Sequence, residues 1–358
     1  MIEQHGETVE PVEPREHRPM CAQPHRGARP LPPDVSEGRA YSIRRVETKW
    51  MNGTVLHFHF LDAPNDWDWP EAQKQVVRGA CAIWKALGIG LEFKEVALAS
   101  EAEILIGRRQ DGLSWSSVGK EGLTYRDDGR NMNFGWDLTT SWGHATALHE
   151  IGHAIGLEHE HQNPRAGIVW DEPQVLAHFL ASDGWDAQKT HDNVIDKMPS
   201  NSIEGSNWDP TSIMHYPFDP GLMKLPHPYD RTGIGENVSL SAQDQQWVRH
   251  WYPPLGPATV ITPLSLLPLP TRPGAQADFV FQPDATRDYT VATVGPADSR
   301  MVIFEDRDGE PRHLAGDDDV GMPSNASITT KFVAGRTYHL RVRVAYAEGD
   351  RPVGLTLH

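Results

Sequence analysis

Cysteine is almost absent: Cys21 and Cys81 are the only two in 358 residues. A dense disulfide framework is therefore excluded, and at most one bridge can form. Positive charge is scarce as well. Lysine and arginine total 33 against 49 aspartates and glutamates, a net charge of −16. That argues against a nucleic-acid or anionic-membrane partner, because such binding rests on excess positive charge. No apolar run approaches the ~18 residues of a membrane helix. The richest stretch, residues 260–269, is broken by Pro263 and Pro268. The amino terminus lacks the basic-then-apolar layout of a secretory signal. The compartment stays open between the cytoplasm, export by another route and a leader already removed.

What is present suits a folded chain of two or three domains at ~150 residues each. Apolar residues make up 38% and charged residues 23%, a balance that opposes long-range disorder. Residues 1–40 are rich in proline and charge without a helical or strand period, and read as an extended arm. Residues 54–61 (TVLHFHFL) alternate and predict a strand. Pro70 opens a helix in which Val76, Val77, Ala80, Cys81, Trp84 and Leu87 recur at helical spacing, with Gly88 as its stop. Residues 91–96, 103–107 and 131–135 are further short strand candidates, and residues 111–122, rich in glycine and serine, read as loop. Helices follow around residues 146–156, from Asp171 and Pro173 through Leu180, and from Ser241 through Trp251.

Residues 253–273 hold seven prolines in 21 positions and read as a linker. Beyond them, short alternating segments at 279–281, 289–294, 301–304, 327–333 and 337–344 are punctuated by Gly, Asp and Asn, as in a small β-sandwich. The expected fold class is α+β. The expected boundaries are 1–40 for the arm, 41–254 for a catalytic domain, 255–273 for the linker and 274–358 for the sandwich.

The chemistry concentrates in residues 149–159, HEIGHAIGLEH. His149 and His153 are four apart, so one helix face presents both imidazoles to the same point. Gly156 can adopt positive φ and end the helix, which lets His159 return toward them. Three neutral imidazoles leave a fourth zinc position open, and such a zinc generates a nucleophile at neutral pH. Glu150 sits where it can take the proton of a water and later give it to a leaving amine. A histidine-rich helix without metal is the bland alternative. Five matching positions, and an apolar back of Ala147, Leu148, Ile151, Ala154 and Ile155, weigh against it.

At these residues the chain resembles the metzincin metallopeptidases, whose extended zinc signature is followed by a methionine turn. Ser212, Ile213, Met214, His215 and Tyr216 supply that turn. The SxMHY form, with His159 followed by Glu160, looks like the astacin branch. The resemblance covers roughly residues 41–254. It implies a twisted mixed sheet with an active-site helix, one catalytic Zn2+ and a protein or peptide substrate. Met214 would form an apolar floor under the zinc, and Tyr216 a fifth, displaceable ligand that swings out to hydrogen-bond the tetrahedral intermediate. Asn131, Met132, Asn133, Phe134 and Gly135 would be the cleft-edge strand that pairs with extended substrate. Glu160 would receive the new amino terminus of an activated enzyme, although no processing site is evident. The four framework cysteines usual in astacins are missing, so packing alone must hold the lobes together.

Cys21 lies inside the arm, and a thiolate is a soft, strong zinc ligand. It can fill the open zinc position and hold the enzyme latent, similar to the cysteine switch of other metzincins. A Cys21–Cys81 bridge and an inert thiol are the competing readings. Cys81, on an apolar helix face with Val77 and Trp84, reads as a buried structural thiol. His57 and His59 read as structural, His191, His227 and His250 have no partner at ligand spacing in the sequence, and His215 reads as a loop anchor. Residues 317–319 are an acidic turn for which Ca2+ is the weaker reading. The carboxy-terminal region resembles the pre-peptidase C-terminal type of β-sandwich, which implies a module for substrate or surface contact. A monomeric zinc endopeptidase is the reading that follows. A zinc amidase acting on non-protein substrate, or a binding module with a degenerate site, are its rivals.

Overall fold

The computed structural model describes residues 20–23, 48–62, 67–199, 207–317, 325–347 and 351–358. Most of the expected arm, and Asp318 and Asp319 of the acidic turn, lie outside the described residues.

The first lobe is built on a five-stranded sheet. Its strands are β1 (Val55–Phe60), β2 (Glu92–Glu95), β3 (Ile104–Gly107), β4 (Trp115–Ser116) and β5 (Met132–Asn133), in the order β2-β1-β3-β5-β4. Four strands run parallel, and only β4 is antiparallel to its neighbour. Two helices lie against this sheet: α1 (Glu71–Lys85) and α2 (Ser141–Ala154). In α1 the spacing of Val77, Ala80, Cys81 and Trp84 makes one buried stripe. Trp84 is fully buried, and its indole N–H donates to Leu148 O of α2 at 3.0 Å. Each such large apolar side chain contributes about 1.5–3 kcal/mol through burial. The same core takes in Leu56, Phe58, Ile106, Met132, Ile151 and Met214, so sheet, helices and methionine turn share one apolar interior.

Two sequence expectations change here. Residues 111–122, expected as loop, contain β4. Helix α2 begins at Ser141 rather than near Thr146, because Thr140 caps it by accepting from Gly143 N at 3.0 Å. Its end follows the expectation. Gly156 has φ +100, its N–H reaches His153 O at 2.8 Å, and Leu157 N reaches Gly152 O at 3.0 Å. These two bonds form a Schellman cap, which a residue with a Cβ closes only at a cost.

The second lobe carries β6 (Val169–Trp170), α3 (Glu172–Asp183), β7 (Met223–Leu225) and α4 (Ala242–Trp251). It has its own core of Trp170, Val175, Phe179, Trp185, Tyr216 and Phe218, which also receives Met20, Cys21 and Ala22. Helix α4 starts in a capping box: Ser241 Oγ accepts from Asp244 N, and the Asp244 carboxylate accepts from Ser241 N.

The carboxy-terminal part is a two-sheet β-sandwich. Its strands are β8 (Thr259–Val260), β9 (Ser265–Pro268), β10 (Gln276–Phe281), β11 (Arg287–Val294), β12 (Ala297–Arg307), β13 (Glu310–Asp317), β14 (Ser327–Phe332), β15 (Tyr338–Ala347) and β16 (Gly354–Leu357). One sheet has the order β13-β12-β15-β10-β8 and the other β14-β11-β16-β9. Residues 255–273, expected as a linker, thus contribute β8 and β9. Both are edge strands, the place where a proline-rich segment can still pair.

The sandwich is seated on the first lobe through buried polar groups. Arg300 donates to Lys49 O at 3.3 Å and Arg341 to Asn52 O at 3.2 Å. Gln276 and Asn52 exchange two further bonds at 2.9 and 3.0 Å. Gly53 (φ +90) packs against the Arg341 guanidinium, which a Cβ there would approach to 2.2 Å and have to displace. Nearby, His57 stands between Glu103 at 2.9 Å and Glu310 of β13 at 2.7 Å.

Candidate active site

Helix α2 and its Schellman turn bring His149, His153 and His159 together. His153 Nε2 lies 3.0 Å from His149 Nε2 and 3.1 Å from His159 Nε2. With the Cys21 thiol they form a buried group whose ligand atoms all lie within 4.8 Å of one another. Backbone carbonyls set the tautomers. His149 Nδ1 donates to Ile213 O at 2.8 Å, and His153 Nδ1 to Leu157 O at 2.7 Å. Each of these rings therefore turns its Nε2 lone pair toward the common point, the orientation that a metal-ligating histidine needs. Burial pulls the His149 imidazole down to about 4 and holds His153 and His159 well below their ordinary value, so all three are neutral donors. Three neutral nitrogens and a thiol converging on one point fit a zinc ion.

Glu150 is fully buried beside them. Its Oε2 lies 3.7 Å from Cys21 Sγ, and among the described residues its Oε1 has no hydrogen-bond partner. Burial pushes its carboxyl well above the usual carboxylate range.

The methionine turn is held from α4. The Asp244 carboxylate accepts from Ser212 Oγ at 2.6 Å and from Ile213 N at 2.9 Å. Met214 is 1% exposed and packs under Gly152 of α2, where a Cβ would come within 2.6 Å of its sulfur. Tyr216 is buried against His159 and His161, with ring centroids 4.5 and 4.3 Å away, and its hydroxyl donates to Cys21 O. His215 anchors the loop through Nδ1 to Tyr216 O at 2.7 Å. Glu160 accepts from Asp209 N at 2.9 Å and from Asn163 at 3.0 Å, joining the chain after His159 to the approach to the methionine turn.

The cleft-edge assignment needs correction. Asn131, Met132, Asn133, Phe134 and Gly135 are buried, and β5 lies inside the sheet with β3 on one side and β4 on the other. Their polar groups serve the fold. Asn131 accepts from Leu105 N and donates to Gly122 O, while Asn133 donates to Leu113 O and accepts from Arg130. The sheet's outer edge on this side belongs to β4. There Ala22 N donates to Ser114 O at 3.0 Å, and Cys21 pairs with Ser114 in parallel sense. Sequence reasoning misses β4 because a two-residue ladder has no period to read. Asp244 is legible as a helix-capping residue, but not as the anchor of the methionine turn.

Both cysteines are free thiols, which removes the Cys21–Cys81 bridge. Burial drives Cys81 up to about 12, as befits a packing residue. Asp317 accepts from Ser327 N at 2.6 Å, a turn-closing role. Among the described residues no helix is long and apolar enough to cross a membrane.

Residues 42–252 match the peptidase family Astacin. The structure of myroilysin is similar at 29% identity and a TM-score of 0.51, covering 58% of this chain and 96% of that one. High choriolytic enzyme 1, a hatching enzyme zinc-protease from Oryzias latipes (Medaka fish), matches at 15% identity and a TM-score of 0.40, covering 57% of this chain and 94% of that one. The pre-peptidase C-terminal domain of a collagenase from Bacillus anthracis matches at 13% identity and a TM-score of 0.23, covering 28% of this chain and 95% of that one. No curated protein matches the chain. Since the family match spans more than half of its 358 residues, the chain belongs to the astacin family of metallopeptidases.

Proposed function

We propose that the protein is a zinc-dependent endopeptidase that is held latent by its own arm. The observation that carries the reading is the convergence of three neutral imidazoles on one point beside a buried, incompletely bonded carboxyl. His149, His153 and His159 would hold the ion. When bound, zinc supplies Lewis-acid polarisation of a carbonyl and acidifies water toward neutral pH.

The remaining steps belong to the side chains. Glu150 accepts the proton of the attacking water and passes it to the departing amine nitrogen. Its place supports that role: it is fully buried beside the imidazoles, and among the described residues its Oε1 has no hydrogen-bond partner. Tyr216 already donates to a peptide carbonyl, that of Cys21. The arm's carbonyl stands in for the substrate's, and the same hydroxyl stabilises negative charge on the scissile oxygen as it develops. Met214 and Gly152 fix the floor under the imidazoles.

The arm supports latency. Cys21 reaches the imidazole cluster while its neighbour Ala22 pairs with the β4 edge that an extended substrate would need. The thiol is pushed well above its ordinary value by burial and by Glu150, so a thiolate at this place calls for a neighbouring cation. Replacing Glu150 by glutamine in the Cys21→Ala background, where the arm no longer holds the enzyme latent, tests the mechanism. The variant should retain its metal and lose about 10²–10⁴-fold in peptide hydrolysis. Retained turnover would remove Glu150 from the reaction.

A further inference from the structure

The active-site cleft has a side wall that the mechanism above does not use. Trp136, Trp142, Ala145 and Thr146, from α2 and the segment before it, line it together with Ile213, Pro217 and Asn237, and it reaches His149, Glu150 and Tyr216. Trp136 is fixed in place, since its indole N–H donates to Thr146 Oγ1 at 3.1 Å and that hydroxyl in turn donates to Trp142 O at 3.0 Å. The amide of Asn237 is spent on Pro210 O at 3.0 Å and Ser212 O at 2.8 Å. Both tryptophans keep part of their surface in solvent, although so large an apolar group gains most from full burial. The cleft is partly open to solvent, and with Met20 and Cys21 of the arm seated in its wall it leaves a volume of only about 30 Å3.

Two features define what fits there. The first is charge. Among the described residues no lysine or arginine lines the cleft, and the only carboxyl in its wall is that of Glu150. An acidic side chain entering it would lose water without gaining a counter-charge from any side chain of the wall. The second is the arm. Met20 lines the same cleft and is 8% exposed, while the adjacent Cys21 lies at the imidazoles. An extended chain on the β4 edge therefore already presents an unbranched apolar side chain to this cleft.

We infer that this cleft is the main specificity pocket and that it selects an uncharged apolar side chain, of methionine or leucine size, next to the scissile bond. The inference rests on the endopeptidase reading and names its substrate class: extended polypeptide with such a residue at one of the two positions flanking the cleaved bond. Met20 occupies the pocket's side as a resident mimic of that residue.

The test uses the zinc-loaded full chain and its Cys21→Ala variant with fluorogenic peptides randomised separately at the two flanking positions. One of the two positions should favour Met and Leu over Asp and Glu by about tenfold or more in kcat/KM, because a carboxylate entering an apolar wall loses its water unpaired. Thr146→Lys places a cation in the wall and should narrow that ratio at least tenfold. Asn237→Lys does the same from outside α2, should the first substitution disturb that helix. Cleavage without an apolar preference at either position, or with a preference for acidic residues, would overturn the pocket assignment and leave the peptidase reading intact. Failure of both zinc-loaded proteins to cleave any peptide would overturn the peptidase reading and this inference with it.

Discussion

Replacing Glu310 by glutamine removes one of the two carboxylates that clasp His57 between the first lobe and the sandwich. The His57 side chain is 4% exposed, with Glu103 on Nδ1 and Glu310 on Nε2. Burial lowers the His57 pKa, but the bonds from Glu103 and Glu310 outweigh it and raise the net value above 6.5. The clasp therefore stabilises fully below the unfolded value, and its contribution is lost as pH rises through the higher folded value. Glu310 works in the opposite sense. Burial raises its carboxyl, yet Lys94 and His57 hold it below 4.5, so its contribution is lost as pH falls through that lower value. Arg312 is the further charge facing the pair, at 2.8 Å from Glu310. The stabilising window thus runs from the Glu310 titration up to that of His57. A hydrogen bond between charged groups contributes about 1.5–3 kcal/mol. Lys94 and Arg312 share the carboxylate, so a loss of about 1–2 kcal/mol is expected for Glu310→Gln near pH 6. That is a fall of ~2–8 °C in Tm at ~2–4 °C per kcal/mol. Near pH 9 a neutral imidazole can donate to only one of its two partners, and the glutamine can donate to the other nitrogen. The difference between variant and parent should then shrink to what Glu310 contributes through Lys94 and Arg312. Thermal unfolding of both proteins at the two pH values reads this directly. A Tm gap of equal size at both, or none at either, would refute the charge-based clasp.

Cys21→Ala should raise peptide hydrolysis by the uncleaved chain about tenfold or more, one decade for each ~1.4 kcal/mol of arm binding removed. It should leave metal content unchanged, and equal activity in the two proteins would count against latency. Asp244→Asn disturbs both the capping box and the methionine turn, since Asp244 accepts from Ser212, Ile213 and Ser241. A loss of about 1–3 kcal/mol in denaturant unfolding is expected, together with weaker zinc retention. Unchanged stability would show that the turn is held by packing alone.

The parts of this fold that are legible in the sequence are those encoded locally. Residues 149–159 declare a helix face, a positive-φ stop and a returning histidine within eleven positions, and each follows from spacing. Helix α1 is equally plain, because its buried stripe, from Gln73 to Trp84, repeats at helical intervals over about three turns. What escapes is non-local or too short to have a period. The cleft edge is a ladder of two residues inside a Gly/Ser-rich run, so the more regular β5 draws the assignment instead. The seat of the sandwich is hidden for another reason. In β15, alternation separates Leu340, Val342 and Val344 from Arg341 and Arg343. A period of two tells which residues share a face. It does not tell that the arginine face is covered by the first lobe, with Arg341 on Asn52 O.

The central claim is that three imidazole nitrogens hold a single zinc ion. An anomalous-diffraction structure of the purified full chain at the zinc edge, paired with metal analysis, tests it most directly. One zinc per chain is expected, with His149, His153 and His159 Nε2 atoms at about 2.0–2.1 Å and Cys21 Sγ near ~2.3 Å. No stoichiometric metal, or a zinc bound away from these three histidines, would contradict it.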